Sequence, residues 1–190
     1  MVKRRCNFTI LVTDVPVDLY ILRHGDAEPL GLESQDDAER SLTSEGLEIM
    51  TRAGQGMRRM GITLDVLFSS PKKRARQTAQ IVHEELSLIS PITFSDSIAT
   101  GRWRELLAEV GAVITHSNKQ YLDAGVMIVG HEPYLGQLIG VLTTGMTSCL
   151  TELVPGSMCK LRLTEIAYRQ VGTIQWMLTP DHLQLVCSNG

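Results

Sequence analysis

Short apolar runs alternate with segments of helical spacing from residue 18 onward, and this alternation constrains the fold more than any other feature of the sequence. The runs at 19–22, 64–69, 92–94 and 126–129 are typical of buried strands, since each is short and bounded by polar or turn-forming residues. Strands that alternate with helices favour a parallel sheet with helices on both faces. We therefore predict an α/β fold built as a three-layer sandwich.

Helical patterns follow several of these runs. Thr43 is a suitable N-cap for the first helix, and Leu47 is one of the apolar positions on its predicted inner face. Pro71 and Pro133 suit the first turns of two later helices. The stretch between the third and fourth predicted strands has room for one helix and its loops.

The hydrophobic period changes near the end of the chain. Two runs there alternate apolar and polar residues, as strands with one buried face do, and a loop that contains Gly172 separates them. They predict an antiparallel hairpin at the C-terminal end of a mostly parallel, mixed sheet. The residues assigned to the apolar face of this hairpin are Cys159, Leu161, Leu163, Ile174, Trp176 and Leu178.

Length and composition fit one globular domain. The chain has 190 residues, of which 43% are hydrophobic, and a chain of this size buries enough surface to fold without a disulfide or a metal. We predict an N-terminal extension at 1–17 and one domain over 18–190. The net charge of −3 excludes a strongly basic protein that is held on nucleic acid by its overall charge.

The cysteines indicate a reducing compartment. Cys6, Cys149, Cys159 and Cys187 form no Cys-x-x-Cys pair and no zinc-type spacing with histidine, so we expect no metal. Scattered thiols suit the cytoplasm. No apolar stretch approaches the roughly 20 residues that span a bilayer, and no Gly-rich nucleotide loop is present. We therefore expect no membrane span and no nucleotide cofactor.

Charged and titratable side chains follow three of the predicted strands. Arg23 and His24 end the first, Arg74 follows the second, and His131 follows the fourth. The carboxyl ends of parallel strands meet at one edge of a sheet, so these four side chains are expected to converge. In an acidic chain, such a local cationic cluster predicts a compact anion with several oxygens, and phosphate fits best.

Gly25 and the two histidines indicate how this cluster would act. A residue without Cβ directly after His24 allows a tight turn and a close approach of the ligand to the backbone. His24 would then hydrogen-bond one ring nitrogen to the main chain and direct the other at phosphorus. Arg23, Arg74 and His131 would stabilise the charge on the phosphoryl oxygens.

Three motifs together resemble those of the histidine phosphatase superfamily. The first is Leu-Arg-His-Gly at 22–25, the second is Ser-Pro at 70–71 followed by Arg74, and the third is Val-Gly-His-Glu-Pro at 129–133. Within this superfamily, the chain is similar to the SixA-type phosphohistidine phosphatases over nearly its whole length. The resemblance implies that His24 is a nucleophile that becomes transiently phosphorylated, and that the phosphate is bound by Arg23, Gly25, Arg74 and His131.

No residue clearly matches the proton-donating Glu or Asp that larger phosphomonoesterases of the superfamily carry after the third strand. Asp26 and Asp96 are the candidates for such a donor here. A phosphoramidate nitrogen is basic and easily protonated when it leaves, so it needs a dedicated acid less than an alkoxide does. The missing match therefore favours a phosphohistidine over a sugar phosphate as the substrate.

The sequence therefore predicts a phosphohistidine phosphatase that needs no metal or other cofactor. The resemblance implies a partner protein that carries the phosphohistidine, and the candidate is a histidine-containing phosphotransfer domain of a two-component relay. Two alternatives remain open. One is a phosphomonoesterase that acts on small phosphate esters through the same pocket, and the other is a catalytically silent phosphate-binding adaptor.

Overall fold

The computed structural model describes residues 16–31, 35–116, 124–148 and 151–188. Most of the predicted N-terminal extension, at 1–15, therefore lies outside the described residues. The strands are β1 (Val17–Arg23), β2 (Val66–Ser69), β3 (Ile92–Phe94), β4 (Ala124–Gly130), β5 (Met158–Leu163) and β6 (Gly172–Leu178). The helices are α1 (Ser44–Arg59), α2 (Lys73–Glu85), α3 (Asp96–Thr100), α4 (Trp103–His116), α5 (Tyr134–Thr144) and α6 (Pro180–Ser188), and a 3-10 turn spans Asp37–Glu39.

The strands form one sheet in the order β3-β2-β4-β1-β5-β6. The first four strands in this order are parallel to one another, whereas β5 runs antiparallel to β1, and β6 antiparallel to β5. The predicted mostly parallel, mixed sheet with a C-terminal antiparallel hairpin is therefore confirmed. Because β4 lies between β2 and β1, the carboxyl ends of these three strands are neighbours at one edge of the sheet.

Helices cover both faces of the sheet, which confirms the predicted three layers. Leu19 and Ile21 of β1 pack into a core with α4 and α5, whereas Tyr20 and Leu22 pack into a second core with α1, α2 and α6. The strand β4 is buried along its whole length, as an inner strand covered on both faces must be. No helix in the described part of the chain is long and apolar enough to cross a membrane.

The helix α1 is fixed by its cap and by close packing. The Thr43 hydroxyl accepts a hydrogen bond of 2.8 Å from the Gly46 amide, as predicted for the N-cap. Gly56 has no room for a side chain, because a Cβ there would lie 2.0 Å from the carbonyl oxygen of Leu183 in α6. This glycine weakens the helix locally but lets α6 pack against it. The inward position predicted for Leu47 is wrong, since that side chain is exposed.

The helix boundaries differ from the prediction at three places. The helix α2 begins at Lys73, two residues after Pro71. Two helices, α3 and α4, occupy the stretch for which one was expected. The helix α6 follows the hairpin and was not predicted.

The C-terminal hairpin departs from strict alternation. A register shift pairs Lys160 with Trp176 but Leu161 with Ile174, so that one extra residue is inserted in β6. Trp176 packs against the core that contains Tyr20, whereas Ile174 lies on the opposite face and is exposed. The prediction of one apolar face for this strand is therefore wrong.

Candidate functional site

The ends of β1, β2 and β4 bring three of the predicted residues to one place. The amide of His24, directly after β1, donates to the last carbonyl of β4 over 3.1 Å. The amide of Ser70, directly after β2, donates to the carbonyl one residue earlier in β4 over 3.0 Å. Because both loops are fastened to β4, His24 meets Arg74 and His131 at the carboxyl edge of the sheet.

The main chain fixes the tautomer of His24. Its Nδ1 lies 2.7 Å from the carbonyl oxygen of Gly25, and because a carbonyl only accepts, Nδ1 carries the proton. Nε2 is therefore unprotonated, and it accepts a hydrogen bond of 3.2 Å from Nε of Arg74. Burial lowers the pKa of His24 to about 4, aided by the charges of Arg74 and Arg23 and opposed by the bond to Gly25. The ring is thus neutral at pH 7.

His131 faces His24, and the two ring centres are 5.0 Å apart. Nε2 of His131 lies 2.8 Å from the hydroxyl oxygen of Ser70. Its Nδ1 is buried and has no hydrogen-bond partner among the described residues. Burial, followed by the effects of His24 and Arg74, lowers the pKa of His131 to about 2. Both imidazoles are therefore neutral, but different groups hold them.

Arg74 lies in the first turn of α2 and is only 5% exposed. Its Nε donates to His24, and its terminal nitrogens donate to Asp37, one to the carbonyl oxygen over 2.6 Å and one to the carboxylate over 3.1 Å. These bonds use three of the five N–H groups of a guanidinium. Arg74 is therefore fixed in orientation and retains donors for an anion that binds beside Nε2.

Sequence reasoning missed Asp37, a carboxylate that joins the cations of the site. Besides Arg74, it accepts hydrogen bonds from Lys72 over 2.7 Å and from Arg40 over 3.0 Å. The bond from Lys72, followed by those from Arg40 and Arg74, holds the pKa of Asp37 well below its usual range. This residue lies in a polar, acidic loop, and nothing in the local sequence distinguishes its carboxylate from the others.

Arg23 is half-buried at the end of β1. One of its terminal nitrogens donates to the carbonyl oxygen of Leu153 over 2.5 Å. Its Nε is buried and has no hydrogen-bond partner in the part of the chain that the structure describes. The charge of Arg23 contributes to the lowered pKa of His24. Arg23 therefore adds a fixed positive charge to the site.

Gly25 is closely packed, and its backbone conformation does not by itself require glycine. Its φ lies outside the left-handed region that only glycine adopts readily. A Cβ on Gly25 would instead lie 2.6 Å from Cγ of Met50 in α1, and the Gly25 amide donates to the Thr78 hydroxyl over 3.1 Å. A side chain at this position would therefore require Met50 of α1 to move.

The two predicted proton donors lie outside the hydrogen-bond network of the histidines. Asp26 is exposed and accepts a hydrogen bond of 3.2 Å from the Thr43 hydroxyl at the N-cap of α1. Asp96 is exposed at the start of α3, after β3, and the strands β2 and β4 separate β3 from β1. Within the described residues, neither carboxylate is hydrogen-bonded to an imidazole of the site.

The site combines a neutral imidazole nitrogen with fixed cations. Within the described ranges, no group of three or more His, Cys, Asp or Glu side chains has the arrangement of a metal centre. Arginine N–H groups bind phosphoryl oxygens in planar pairs, and an unprotonated Nε2 is a nucleophile for phosphorus. The arrangement can therefore bind a phosphoryl group and accept it on His24.

The chain is similar to known phosphatases and mutases in sequence and in fold. A family model of the histidine phosphatase superfamily (branch 1) matches residues 19–106. Phosphohistidine phosphatase SixA from Escherichia coli (strain K12) is 24% identical over 171 residues, which cover 89% of this chain and 98% of that protein. A 2,3-bisphosphoglycerate-dependent phosphoglycerate mutase from Nautilia profundicola is 34% identical over 121 residues, which cover 62% of this chain and 47% of that enzyme.

The fold is also similar to that of a solved structure. The structure of the protein histidine phosphatase SixA complexed with tungstate superposes with a TM-score of 0.73 at 23% sequence identity, and the match covers 87% of this chain and 99% of that one. Both His24 and Arg74 lie within the residues that the family model matches. The chain is therefore similar to the histidine phosphatase superfamily (branch 1) in sequence over residues 19–106, and its fold is similar to that of a protein histidine phosphatase.

Proposed function

We propose that the protein is a phosphohistidine phosphatase, which removes phosphate from a phosphorylated histidine of a partner protein through a phospho-His24 intermediate. The state of His24 is the observation that carries this proposal. The ring is neutral, its proton is held on Nδ1 by Gly25, and Nε2 lies 3.2 Å from Nε of Arg74. A nucleophile needs an available lone pair, and this arrangement supplies one at pH 7 without a separate base.

In the first step, the lone pair on Nε2 of His24 attacks phosphorus in line with the bond to the substrate nitrogen. A bond from Nε2 to phosphorus forms and the P–N bond of the substrate breaks. The leaving imidazole keeps the electron pair and takes a proton from solvent. Arg74, whose Nε–H donates to Nε2 in the free protein, then donates to a phosphoryl oxygen instead, while Arg23 and His131 stabilise the remaining charge.

In the second step, water attacks phosphorus on the side opposite Nε2. The P–Nε2 bond breaks, the electron pair returns to Nε2, and the water gives a proton to solvent. Inorganic phosphate leaves, and His24 regains the tautomer that Gly25 selects. The cations of the site stabilise the phosphoryl oxygens in both steps, since their positions do not depend on which nitrogen phosphorus is bonded to.

The carboxylates beside the site favour a phosphohistidine over a phosphate ester. Asp37 is ion-paired and stays ionised, and Glu132 accepts hydrogen bonds from the amides of Leu153 and Gly136. Both carboxylates thus accept hydrogen bonds from the protein, and we propose that neither donates a proton to a leaving group. An alkoxide leaving group needs a proton in the transition state, whereas imidazole leaves as a moderately basic, stable group.

The relatives support a protein as the carrier of the phosphohistidine. The E. coli relative is a phosphohistidine phosphatase by name, and the tungstate-bound structure is of a protein histidine phosphatase. We take the partner to be a histidine-containing phosphotransfer domain of a two-component relay in the cytoplasm. Such a domain presents its phosphohistidine on a surface, where His24 can reach it from the edge of the sheet.

The test compares three substrates with the wild-type protein: a phosphotransfer domain phosphorylated on histidine, phosphoramidate and glycerol 3-phosphate. We expect kcat/KM for both phosphoramidates to exceed that for the ester by roughly 10²-fold or more, because the ester lacks general acid catalysis. Acid-labile label should be trapped on the protein during turnover. A higher kcat/KM for the ester would establish the phosphomonoesterase alternative, and phosphate binding without turnover of any substrate would establish the adaptor.

A further inference from the structure

Asp37 lies at the outer side of the site and is bonded to three cations. Its carboxylate accepts hydrogen bonds from Lys72 over 2.7 Å, from Arg40 over 3.0 Å and from Arg74 over 3.1 Å. The Asp37 side chain is 42% exposed, so its carboxylate is open to solvent beside the site. Arg40 and Lys72 therefore already bind an anionic group, and that group belongs to the protein itself.

The guanidinium of Arg74 links this carboxylate to the phosphate position. Its Nε donates to Nε2 of His24, and one of its terminal nitrogens donates to the carboxylate of Asp37. The carboxylate is therefore one guanidinium away from the phosphoryl group that His24 would accept. A further anionic group on a small phosphate ester that extends towards Lys72 and Arg40 would lie next to Asp37.

Two electrostatic effects act against such a ligand. The Asp37 carboxylate repels the second anionic group, and the cations that could have bound this group are already paired. Lys72, followed by Arg40 and Arg74, holds the pKa of Asp37 well below its usual range, so the carboxylate stays charged at neutral pH.

We propose that Asp37 is a specificity-determining residue, which disfavours small phosphate ligands that carry a carboxylate or a second phosphate beside the phosphoryl group. A phosphohistidine within a polypeptide avoids this penalty, because the peptide groups next to it are neutral. The inference rests on the proposed function, since it requires phosphate to bind between His24 and Arg74. It explains why a pocket of this kind would prefer a phosphoprotein over phosphorylated acids of metabolism.

The experiment compares 3-phosphoglycerate with glycerol 3-phosphate, which carries a hydroxymethyl group in place of the carboxylate. Isothermal titration calorimetry in competition with inorganic phosphate gives the Kd of each ligand for wild type, Asp37→Asn and Glu39→Gln. Asn keeps the size of the side chain and an acceptor oxygen. Glu39→Gln is the matched control, because it removes one negative charge from an exposed position in the same 3-10 turn.

We expect Asp37→Asn to tighten 3-phosphoglycerate about tenfold relative to glycerol 3-phosphate, the effect of one charge-assisted hydrogen bond. Glu39→Gln should leave the ratio of the two Kd values unchanged. In the double variant Asp37→Asn/Lys72→Met the gain should disappear, because the freed ammonium group of Lys72 is what binds the added carboxylate. Retained binding of glycerol 3-phosphate shows that each variant is folded.

An unchanged ratio in Asp37→Asn would overturn the inference. Weaker binding of both ligands would also overturn it, because Asp37 would then serve only to orient Arg74. Phosphorylation by labelled phosphoramidate is followed in the same samples. Label trapped on His24 together with an unchanged ratio leaves the proposed function standing, whereas wild type without label contradicts the proposed function whatever the ratio.

Discussion

The two histidines of the site are buried to a similar degree but are held in different ways. His24 is 8% exposed and His131 is 5% exposed. Both ring nitrogens of His24 are engaged, one by a backbone carbonyl and the other by the guanidinium of Arg74, which Asp37 orients. His131 has one nitrogen on the hydroxyl of Ser70, and its other nitrogen has no hydrogen-bond partner among the described residues.

A carbonyl and a hydroxyl constrain an imidazole differently. A carbonyl oxygen only accepts, so it selects one tautomer, whereas a hydroxyl can donate or accept and permits both. His24 therefore presents the same lone pair throughout, as a nucleophile must. His131 can present a donor or an acceptor as the charge on the phosphoryl group changes. This difference supports a division of roles in which His24 attacks phosphorus and His131 forms hydrogen bonds with the phosphoryl oxygens.

Replacing each imidazole in turn tests this division. His24→Asn should lower kcat/KM for phosphoramidate by at least about 10⁴-fold and abolish the phosphoenzyme, because the attacking nitrogen is lost. His131→Asn should lower it by roughly 10²–10³-fold while the phosphoenzyme still forms, because a stabilising group is lost and the nucleophile remains. Rapid-quench trapping of acid-labile label measures both. Label on His24→Asn but not on His131→Asn would reverse the two roles.

The sequence was sufficient to predict that these residues converge. The run 126–129 is continuously apolar, which fits a strand covered on both faces, and β4 is buried in this way. Polar side chains that directly follow such strands must lie at the carboxyl edge, so His131 and His24 could be assigned to one place before the strand order was known. Thr43 was recognisable as a cap because its role depends only on the next three residues.

The hydrogen bond of His24 to the main chain was predicted and is confirmed, whereas the bonds from Arg74 to Asp37 and between His131 and Ser70 were not predicted, because they join residues far apart in the chain. Lys72 and Asp37 are 35 residues apart, and their pairing follows from how the acidic loop packs on α2 rather than from any local spacing. The contact of Met50 with Gly25 likewise depends on where α1 lies. The helix α6 gave no periodic signal, since Leu183 is its one buried side chain among those described.

The lowered pKa values of both histidines make the stability of the protein depend on pH. The pKa is about 4 for His24 and about 2 for His131, against an ordinary value of 6.5. The unfolded chain therefore binds more protons, so the contribution of each neutral ring to stability is complete above pH 6.5 and is lost as the pH falls. We expect the free energy of unfolding to fall by about 2 kcal/mol per histidine between about pH 7.5 and pH 5.

Chemical denaturation in phosphate-free buffer at several pH values measures this dependence. The variants His24→Asn and His131→Asn show how much of it comes from each histidine. His24→Asn and His131→Asn should each remove about half of the change. Asp37 does not interfere, because its ordinary pKa of 3.8 lies below this range and its lowered pKa acts only at still more acidic pH. If the free energy of unfolding were constant over this range, the two rings would not be buried as neutral groups, and the comparison would lose its basis.

The smallest expected effect concerns the hydroxyl that holds His131. Ser70→Ala removes the hydroxyl that lies 2.8 Å from Nε2 of His131 and that accepts a hydrogen bond of 3.3 Å from the Lys72 amide, while the two hydrogen-bond partners of His24, Gly25 and Arg74, are unchanged. Since one neutral hydrogen bond contributes roughly 1 kcal/mol, kcat/KM should fall about three- to tenfold. The phosphoenzyme should still form, because Nε2 of His24 is unaffected.

Ser69→Ala is the matched control for this variant. Ser69 is fully buried and adjacent in the chain, but its hydroxyl donates to the carbonyl oxygen of Ser70 rather than to an imidazole. The ¹⁵N chemical shifts of the imidazoles should therefore move for His131 in Ser70→Ala, stay constant for His24, and stay constant for both rings in Ser69→Ala. Equal shifts at both rings in Ser70→Ala would mean that the histidines change protonation as one unit. The different hydrogen-bond partners of His24 and His131 would then not support different roles for them in the reaction. The assignment of His24 as the nucleophile would depend on the trapped label alone.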